Sequence, residues 1–138
     1  MKVVIIDDEP LISDKLKRIM ETGLRGMHTV CAFTDAQTAL DYIEQEKPVI
    51  LTDIRMPGIT GIDLAKQINQ MDYGAKIVFL TGYAEFEYAR YGIEYKVFDY
   101  LLKPVDEQEA IKCLNRAISA FHAEQKHTEM YQIFQDYF

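Results

Sequence analysis

Polar residues that can bind a metal ion or a phosphoryl group follow short apolar runs of this sequence. They are Asp7, Asp8, Asp53, Thr81 and Lys103. Three carboxylates that lie within a few ångströms of one another repel, and each raises the pKa of the others. Mg²⁺ removes that conflict, because it prefers oxygen ligands and is usually held by one or two carboxylates and a phosphate. A lysine ammonium and a threonine hydroxyl can each donate to a further oxygen.

Phosphoryl transfer requires this kind of charge neutralisation together with an in-line nucleophile. An aspartate can be that nucleophile and form an aspartyl-phosphate. Asp53 is the best candidate because it stands alone, whereas Asp7 and Asp8 form a pair suited to a metal ion. Taken singly, Asp7 or Asp8 could cap a helix, Asp53 could be a turn residue, and Thr81 and Lys103 could be structural or solvated. Their joint occurrence at the ends of apolar runs favours one site.

Short apolar runs alternate with amphipathic segments along the whole chain. We predict strands over residues 2–6, 27–33, 49–52, 76–80 and 97–101. Strands this apolar are covered on both faces, as in parallel sheets, and right-handed crossovers place helices on both sides of an open sheet. Ligands bind such sheets at the carboxyl ends of the strands. The polar residues above lie at those ends.

Local signals mark the beginnings of the predicted helices. Pro10 suits the first position of the first helix. Residues 34–37, Thr-Asp-Ala-Gln, have the form of a capping box that opens the second helix after Thr34. Thr60 can cap the third helix, a short fourth helix is predicted over residues 84–93, and residues 106–109 open the last one.

Composition limits the function classes. The 138 residues are enough for one domain, and a formal net charge of −7 argues against direct contact with nucleic acid. No run is long enough to span a membrane and the first residues do not form a signal peptide, so we expect a cytoplasmic protein without membrane contact. Cys31 and Cys113 fit no metal spacing and are expected to be free core residues rather than a disulfide.

The last residues differ in character from the rest. We expect a main domain over residues 1–121 and a C-terminal helical extension, or the start of a linker, over residues 122–138. Met130, Phe134 and Phe138 recur at four-residue spacing, which is consistent with a continued helix and one apolar stripe. That helix could begin a linker coiled coil, or it could fray; the sequence leaves both open.

The chain resembles the receiver domain of two-component response regulators. The segments that carry the resemblance are residues 4–10 (VIIDDEP), 51–58 (LTDIRMPG), 80–83 (LTGY) and 99–104 (DYLLKP), within about residues 1–121. The resemblance implies a flavodoxin-like (βα)5 α/β fold, a doubly wound sandwich with a five-stranded parallel sheet of order 2-1-3-4-5.

The resemblance also implies the acceptor and the metal ligands. Asp53 would accept a phosphoryl group from a sensor histidine kinase. Asp8 and Asp53 would bind Mg²⁺ with their side chains, Asp7 would act mainly through a metal-bound water, and the backbone carbonyl of Arg55 would complete the protein ligands.

Three further positions receive roles from the same resemblance. Lys103 would bind a phosphoryl oxygen, and the Lys103–Pro104 peptide bond would be cis. Thr81 would move towards the phosphoryl group, and Tyr100, otherwise a core aromatic, would swing inward with it. The face built from the fourth helix, fifth strand and fifth helix would then pair with a second receiver or with an output domain.

The sequences of these motifs resemble most those of receivers fused to AraC-type helix-turn-helix DNA-binding domains. Such an output domain is not in this sequence, so we expect a piece of a longer transcriptional regulator; a stand-alone receiver that carries phosphate or binds a protein is the alternative. We expect no enzyme activity beyond self-phosphorylation and self-dephosphorylation. An aspartyl-phosphate phosphatase is disfavoured because Arg55 stands where such enzymes usually have a second acid.

Lys96 departs from the family pattern, which often has glycine just before the fifth strand. A left-handed conformation costs a lysine about 1 kcal/mol. We therefore predict either a positive φ at Lys96 or a reshaped turn.

Overall fold

A computed structural model describes residues 1–82 and 96–137 of the chain. Within these residues the strands are β1 (Lys2–Ile6), β2 (Thr29–Phe33), β3 (Val49–Asp53), β4 (Ile77–Thr81) and β5 (Asp99–Leu102). They form one parallel sheet in the order β2-β1-β3-β4-β5. The predicted fold class and strand order are therefore confirmed.

Helices cover both faces of this sheet. They are α1 (Pro10–Gly23), α2 (Ala36–Glu46), α3 (Gly61–Gln70) and the C-terminal helix (Glu107–Tyr137). The fourth helix predicted over residues 84–93 lies outside the described residues. No helix in the described ranges is both long enough and apolar enough to cross a membrane.

The alternation of side chains along β1 divides the core into two halves. Val3 and Ile5 pack with α1 and the C-terminal helix, whereas Val4 and Ile6 pack with α2 and α3. All four side chains are fully buried, because successive residues of a strand point to opposite faces. The parallel sheet was predicted because its strands are apolar on both faces, and the burial of both faces of β1 confirms that premise.

Six strand boundaries differ from the prediction by one or two residues: the start of β2, the end of β3, and both ends of β4 and of β5. β2 begins two residues late, because Met27 is 94% exposed and Gly26 turns the chain with a φ of 86°. β4 continues through Thr81, whose carbonyl accepts a hydrogen bond from the backbone N–H of Lys103 at 2.8 Å. β5 begins at Asp99, two residues later than predicted, after a turn at Lys96.

The caps of α2 and α3 test the predicted helix starts. The prediction for α2 was wrong by one residue: Asp35, not Thr34, is the N-cap, and its carboxylate accepts from the backbone N–H of Thr38 at 3.0 Å. A carboxylate is a strong acceptor for the free N–H groups of a first turn. Thr60 caps α3 as predicted, in a reciprocal capping box with Asp63.

The two cysteines are free thiols in different environments. Cys113 is buried in the core as predicted, and its burial raises its pKa to about 11. Cys31 is only half-buried, since it lies on the edge strand β2, where its thiol stands 3.4 Å from the hydroxyl of Tyr42. The prediction of a core residue is therefore wrong for Cys31.

The turn before β5 confirms the prediction for Lys96, which has a φ of 55°. We expect Lys96→Gly to raise the free energy of unfolding by a few tenths to about 1 kcal/mol, because glycine adopts this conformation without a Cβ clash but loses more freedom on folding. Lys15→Gly, within α1, removes the same charge and should instead lower it by about 1 kcal/mol. Equilibrium urea denaturation measures both, and equal losses in the two variants would contradict the prediction.

Candidate functional site

The polar residues predicted to meet do meet at the carboxyl edge of the sheet. β3 lies between β1 and β4, so Asp7, which follows β1, is a neighbour of Asp53 at the end of β3. Thr81 ends β4 and is paired with Leu102 of β5, which places Lys103 one residue beyond. Sheet order and register thus assemble residues that are far apart in the sequence.

Three carboxylates form the acidic part of the site. Each of Asp7, Asp8 and Asp53 offers a carboxylate oxygen within 4.8 Å of the other two. Asp7 is fully buried, Asp53 is 4% exposed, and Asp8 is half-buried. The cluster is therefore closed on the protein side and open to solvent through Asp8.

Lys103 supplies positive charge to this cluster. Its Nζ donates to Oδ2 of Asp53 at 2.9 Å and lies 3.6 Å from Oδ2 of Asp7. Its backbone N–H is bonded to Thr81, and the Lys103–Pro104 peptide bond is cis, as expected. The hydrogen bond to Thr81 holds the main chain at the end of β5, from which the lysine side chain reaches the carboxylates.

Burial dominates the protonation of the two inner carboxyl groups. Desolvation raises the pKa of Asp7, and the backbone N–H of Glu9, 2.9 Å from its Oδ1, and the Lys103 ammonium lower it by less. Desolvation likewise raises the pKa of Asp53 in spite of its hydrogen bond from Lys103. Neighbouring acidic groups add to both increases. The site is therefore short of positive charge.

Two buried oxygens of this site have no hydrogen-bond partner within the described part of the chain. They are Oδ2 of Asp7 and Oδ1 of Asp53. A buried polar atom without a partner costs about 1–3 kcal/mol. A hard divalent cation binds such oxygens, and Mg²⁺ tolerates a site of few carboxylates because it keeps several waters. The residues present therefore fit Mg²⁺.

The remaining predicted ligand, Arg55, lies in the loop directly after β3. Its side chain is exposed, and its backbone N–H helps to lower the pKa of Asp53. The main chain of Arg55 thus lies beside the Asp53 carboxylate. Coordination through its carbonyl stays a prediction.

Thr81 and Tyr100 lie on neighbouring strands beside this cluster. Thr81 is 4% exposed, and its hydroxyl donates to the carbonyl of Gly82 at 3.1 Å. The half-buried ring of Tyr100 stands against Phe79, with the ring centres 6.2 Å apart. Burial, and then Asp99, raise the pKa of Tyr100. Their movement during switching stays a prediction.

Gly61 is a positioning residue that the sequence reasoning missed. A Cβ on Gly61 would lie 2.4 Å from the carbonyl oxygen of Asp53 and 2.8 Å from Cα of Ile54. Its N–H also donates to the carbonyl of Ile54 at 2.8 Å. The start of α3 therefore packs directly on the backbone of Asp53. The available signal was a glycine just after the cap Thr60, where a helix does not require one.

Comparison with known proteins gives one family. A family model described as the response regulator receiver domain matches residues 3–115. The transcriptional regulatory protein HptR of Staphylococcus aureus (strain NCTC 8325 / PS 47) is 41% identical over 118 residues, which are 85% of this chain and 46% of HptR. This chain thus spans about half the length of the curated relatives it matches.

Solved structures agree with this match. A response regulator receiver domain protein from Clostridium thermocellum is similar with a TM-score of 0.79 and 26% identity, over 86% of this chain and 94% of that one. A two component transcriptional regulator AraC from Clostridium phytofermentans ISDg is similar with a TM-score of 0.81 and 28% identity, over 91% and 98% of the two chains.

The raised pKa of Asp7 predicts a pH-dependent effect of Asp7→Asn. A carboxyl group whose folded-state pKa lies above its unfolded value stabilises the fold below the unfolded pKa, and this contribution is lost as pH rises through the folded-state pKa. In metal-free buffer, Asp7→Asn should therefore become progressively more stable than wild type as pH rises. Each unit of pKa increase corresponds to about 1.4 kcal/mol. Denaturant unfolding of both proteins, from about pH 4 (near the ordinary pKa of an aspartate) to neutral pH, measures the difference in their free energies of unfolding.

Mg²⁺ and a matched variant control this measurement. Mg²⁺ should stabilise wild type at neutral pH and reduce the advantage of Asp7→Asn. Asp41→Asn, which removes an exposed carboxylate from α2, should keep the wild-type response to Mg²⁺. A pH-independent loss of stability in Asp7→Asn would contradict the prediction.

Proposed function

Because the chain belongs to the response regulator receiver domain family, we propose that Asp53 accepts a phosphoryl group and that this charge switches the domain. The chain is the receiver domain of a two-component response regulator, so its donor partner is a sensor histidine kinase. The proposal depends most on the Asp53 carboxylate, which is buried. Its Oδ2 accepts a hydrogen bond from Lys103, and its Oδ1 has no hydrogen-bond partner within the described residues.

The proposed step is transfer from a phosphohistidine to Asp53. A carboxylate oxygen of Asp53 forms a bond to phosphorus while the phosphorus–nitrogen bond of the donor breaks. The other ring nitrogen of the donor phosphohistidine is protonated before transfer, so the imidazole leaves with the bonding electron pair as a neutral ring that keeps this one proton. The product is an acyl phosphate on Asp53.

Other residues hold the charge during this step. Asp7, Asp8, Asp53 and the Arg55 carbonyl would hold Mg²⁺, which when bound neutralises charge on the phosphoryl oxygens. Lys103 already lies 2.9 Å from Asp53 and needs only a small movement to pair with a phosphoryl oxygen. The burial of Asp7 and Asp53 limits access of water to the acyl phosphate.

We place the switch in Thr81 and Tyr100. Two conformations that differ by a few kcal/mol can be biased by one new charge. The Thr81 hydroxyl now donates to its neighbour Gly82, and in the phosphorylated state it would donate to a phosphoryl oxygen instead. Tyr100, on the adjacent strand, would move inward into the space that Thr81 leaves.

The proposed output is transcription. HptR is named a transcriptional regulatory protein and is about twice the length of the matched region, and a similar structure is named a two component transcriptional regulator AraC. We propose a receiver over residues 1–121, a linker over residues 122–138 and an AraC-type DNA-binding domain beyond them, acting in the cytoplasm. A stand-alone receiver is the alternative, and the length of the native gene decides between them.

Incubation with acetyl phosphate and Mg²⁺ tests the acceptor. Wild type should gain the mass of one phosphoryl group, and Asp53→Asn should gain none, because the amide cannot be the nucleophile. Intact-protein mass spectrometry measures both, with Asp41→Asn as a control that should behave as wild type. Equal gains in wild type and Asp53→Asn would refute the proposed site. We expect no turnover of small phosphate esters.

Phosphorylation should also strengthen association through the face that contains β5. In the described part of this face, Leu102 is 41% exposed, and Asp99 and Arg116 form an exposed ion pair at 2.8 Å. Leu102→Ser should abolish the increase in association caused by acetyl phosphate without changing the gain in mass. Sedimentation velocity measures association, and an increase that persists in Leu102→Ser would contradict this face.

A further inference from the structure

The end of the C-terminal helix carries large apolar side chains in solvent. Every residue from 126 to 137 is exposed. The apolar members are Met130 (69% exposed), Tyr131 (60%), Ile133 (54%), Phe134 (61%) and Tyr137 (82%). Contiguous exposed apolar patches of this kind commonly mark interaction surfaces, because soluble monomers rarely expose them. We call these five residues the apolar stripe.

Three residues of the stripe, together with His127 three residues before them, follow the heptad spacing of a coiled coil. His127, Met130, Phe134 and Tyr137 are separated by three, four and three residues, which is the alternation of core positions a and d. Tyr131 and Ile133 fall at the flanking positions e and g. The other positions of the segment are polar: Thr128, Glu129, Gln132, Gln135 and Asp136. The helix therefore has one wide apolar face and one polar face.

The root of this segment is fixed to the body of the domain. Gln125 donates through Nε2 to the carbonyl of Tyr73 at 3.1 Å, and Glu124 pairs with Lys76. Tyr73 stands edge-on to Phe121, with ring centres 6.2 Å apart, and its hydroxyl donates to the Pro48 carbonyl at 2.7 Å. These contacts reach residue 125. Residues 126–137, about 18 Å of helix, are all exposed and therefore project from an anchored base.

A projecting helix of this length has little stability in water by itself. Isolated helices shorter than about 12–15 residues are marginal, and exposed apolar side chains add no stabilisation until they are covered. We propose that the apolar stripe pairs with the same stripe of a second copy of this chain, as a parallel two-stranded coiled coil.

A second copy fits the stripe for two reasons. In a parallel in-register pair, each of the layers formed by Met130, Phe134 and Tyr137 places an apolar residue against its own copy. Residues 126–137 contain one lysine and two acids, Lys126, Glu129 and Asp136, so each segment carries a formal charge of only 1 − 2 = −1, against −7 for the whole chain. Repulsion between two segments is therefore small.

The area of the stripe sets the strength of this pairing. A fully covered aromatic side chain buries about 150–250 Å², so the partly exposed stripe would bury on the order of 500 Å² per copy. A standard interface buries about 800 Å² per partner. We therefore expect a weak, reversible dimer that forms at micromolar concentrations or above. The dimer does not require phosphorylation. Because the two helices are parallel, both copies would continue beyond residue 137 from the same end of the coiled coil.

Sedimentation equilibrium of the 138-residue chain tests the pairing. The mean mass of wild type and of Asp53→Asn should rise from monomer towards dimer between low micromolar and millimolar concentration. Phe134→Glu, at a core position, should raise the dissociation constant at least tenfold. Gln135→Glu, on the polar face, adds the same charge and should leave the dissociation constant unchanged. The acetyl phosphate reaction should give the same mass gain in both glutamate variants, which shows that their domain is folded.

Cross-linking tests the parallel orientation. With a mild oxidant, His127→Cys should form an intermolecular disulfide, because in a parallel pair residue 127 faces its own copy. Gln132→Cys, on the polar face, and wild type, with its two native cysteines, should not. A monomer at all concentrations, a dimer unaffected by Phe134→Glu, or no cross-link in His127→Cys would overturn the proposal. None of these results bears on Asp53, since the phosphorylation assay is read separately.

Discussion

The structure depends on a conflict of charge at the carboxyl edge of the sheet. Asp7, Asp8 and Asp53 place carboxylate oxygens within 4.8 Å of one another, and Lys103 balances them only in part. Burial raises the pKa values of Asp7 and Asp53, so the site gains stability from any added positive charge. The phosphoryl group and the divalent cation that we propose would meet ligands that are already in place. The same conflict that lowers stability without metal would thus prepare the site for the proposed phosphoryl transfer.

Two buried core halves, one on each face of the sheet, stabilise the fold that holds these carboxylates together. β1 and β3 are covered on both faces. The positions of Asp7 and Asp53 at their carboxyl ends are therefore fixed relative to each other. Gly61 brings α3 against the backbone of Asp53, where any Cβ would clash. The cap formed by Thr60 and Asp63 holds the same helix start. The carboxylate of Asp53, the proposed acceptor, is therefore positioned by packing on one side and by Lys103 on the other.

Much of this could be predicted from sequence, because apolar runs locate buried strands and parallel strands bring their ends together. The fold, the meeting of Asp7, Asp53 and Lys103, and the positive φ of Lys96 were predicted correctly. Details that depend on tertiary contact were not. The cap of α2 shifted to Asp35 because two adjacent residues could each fill that role. The role of Gly61 depends on a close approach of α3 that no local pattern records.

The receiver and the projecting helix are joined by a continuous element, because the C-terminal helix runs from the core at Leu114 to the exposed stripe. The chemistry proposed for Asp53 concerns only the receiver, where its carboxylate would become an acyl phosphate. Borohydride reduces an acyl phosphate of aspartate to homoserine, so reduction of the phosphorylated chain followed by peptide sequencing identifies the acceptor. We predict homoserine at position 53 alone. Homoserine at position 7 or 8, or an unreduced phosphate on a hydroxyl or histidine side chain, would contradict it.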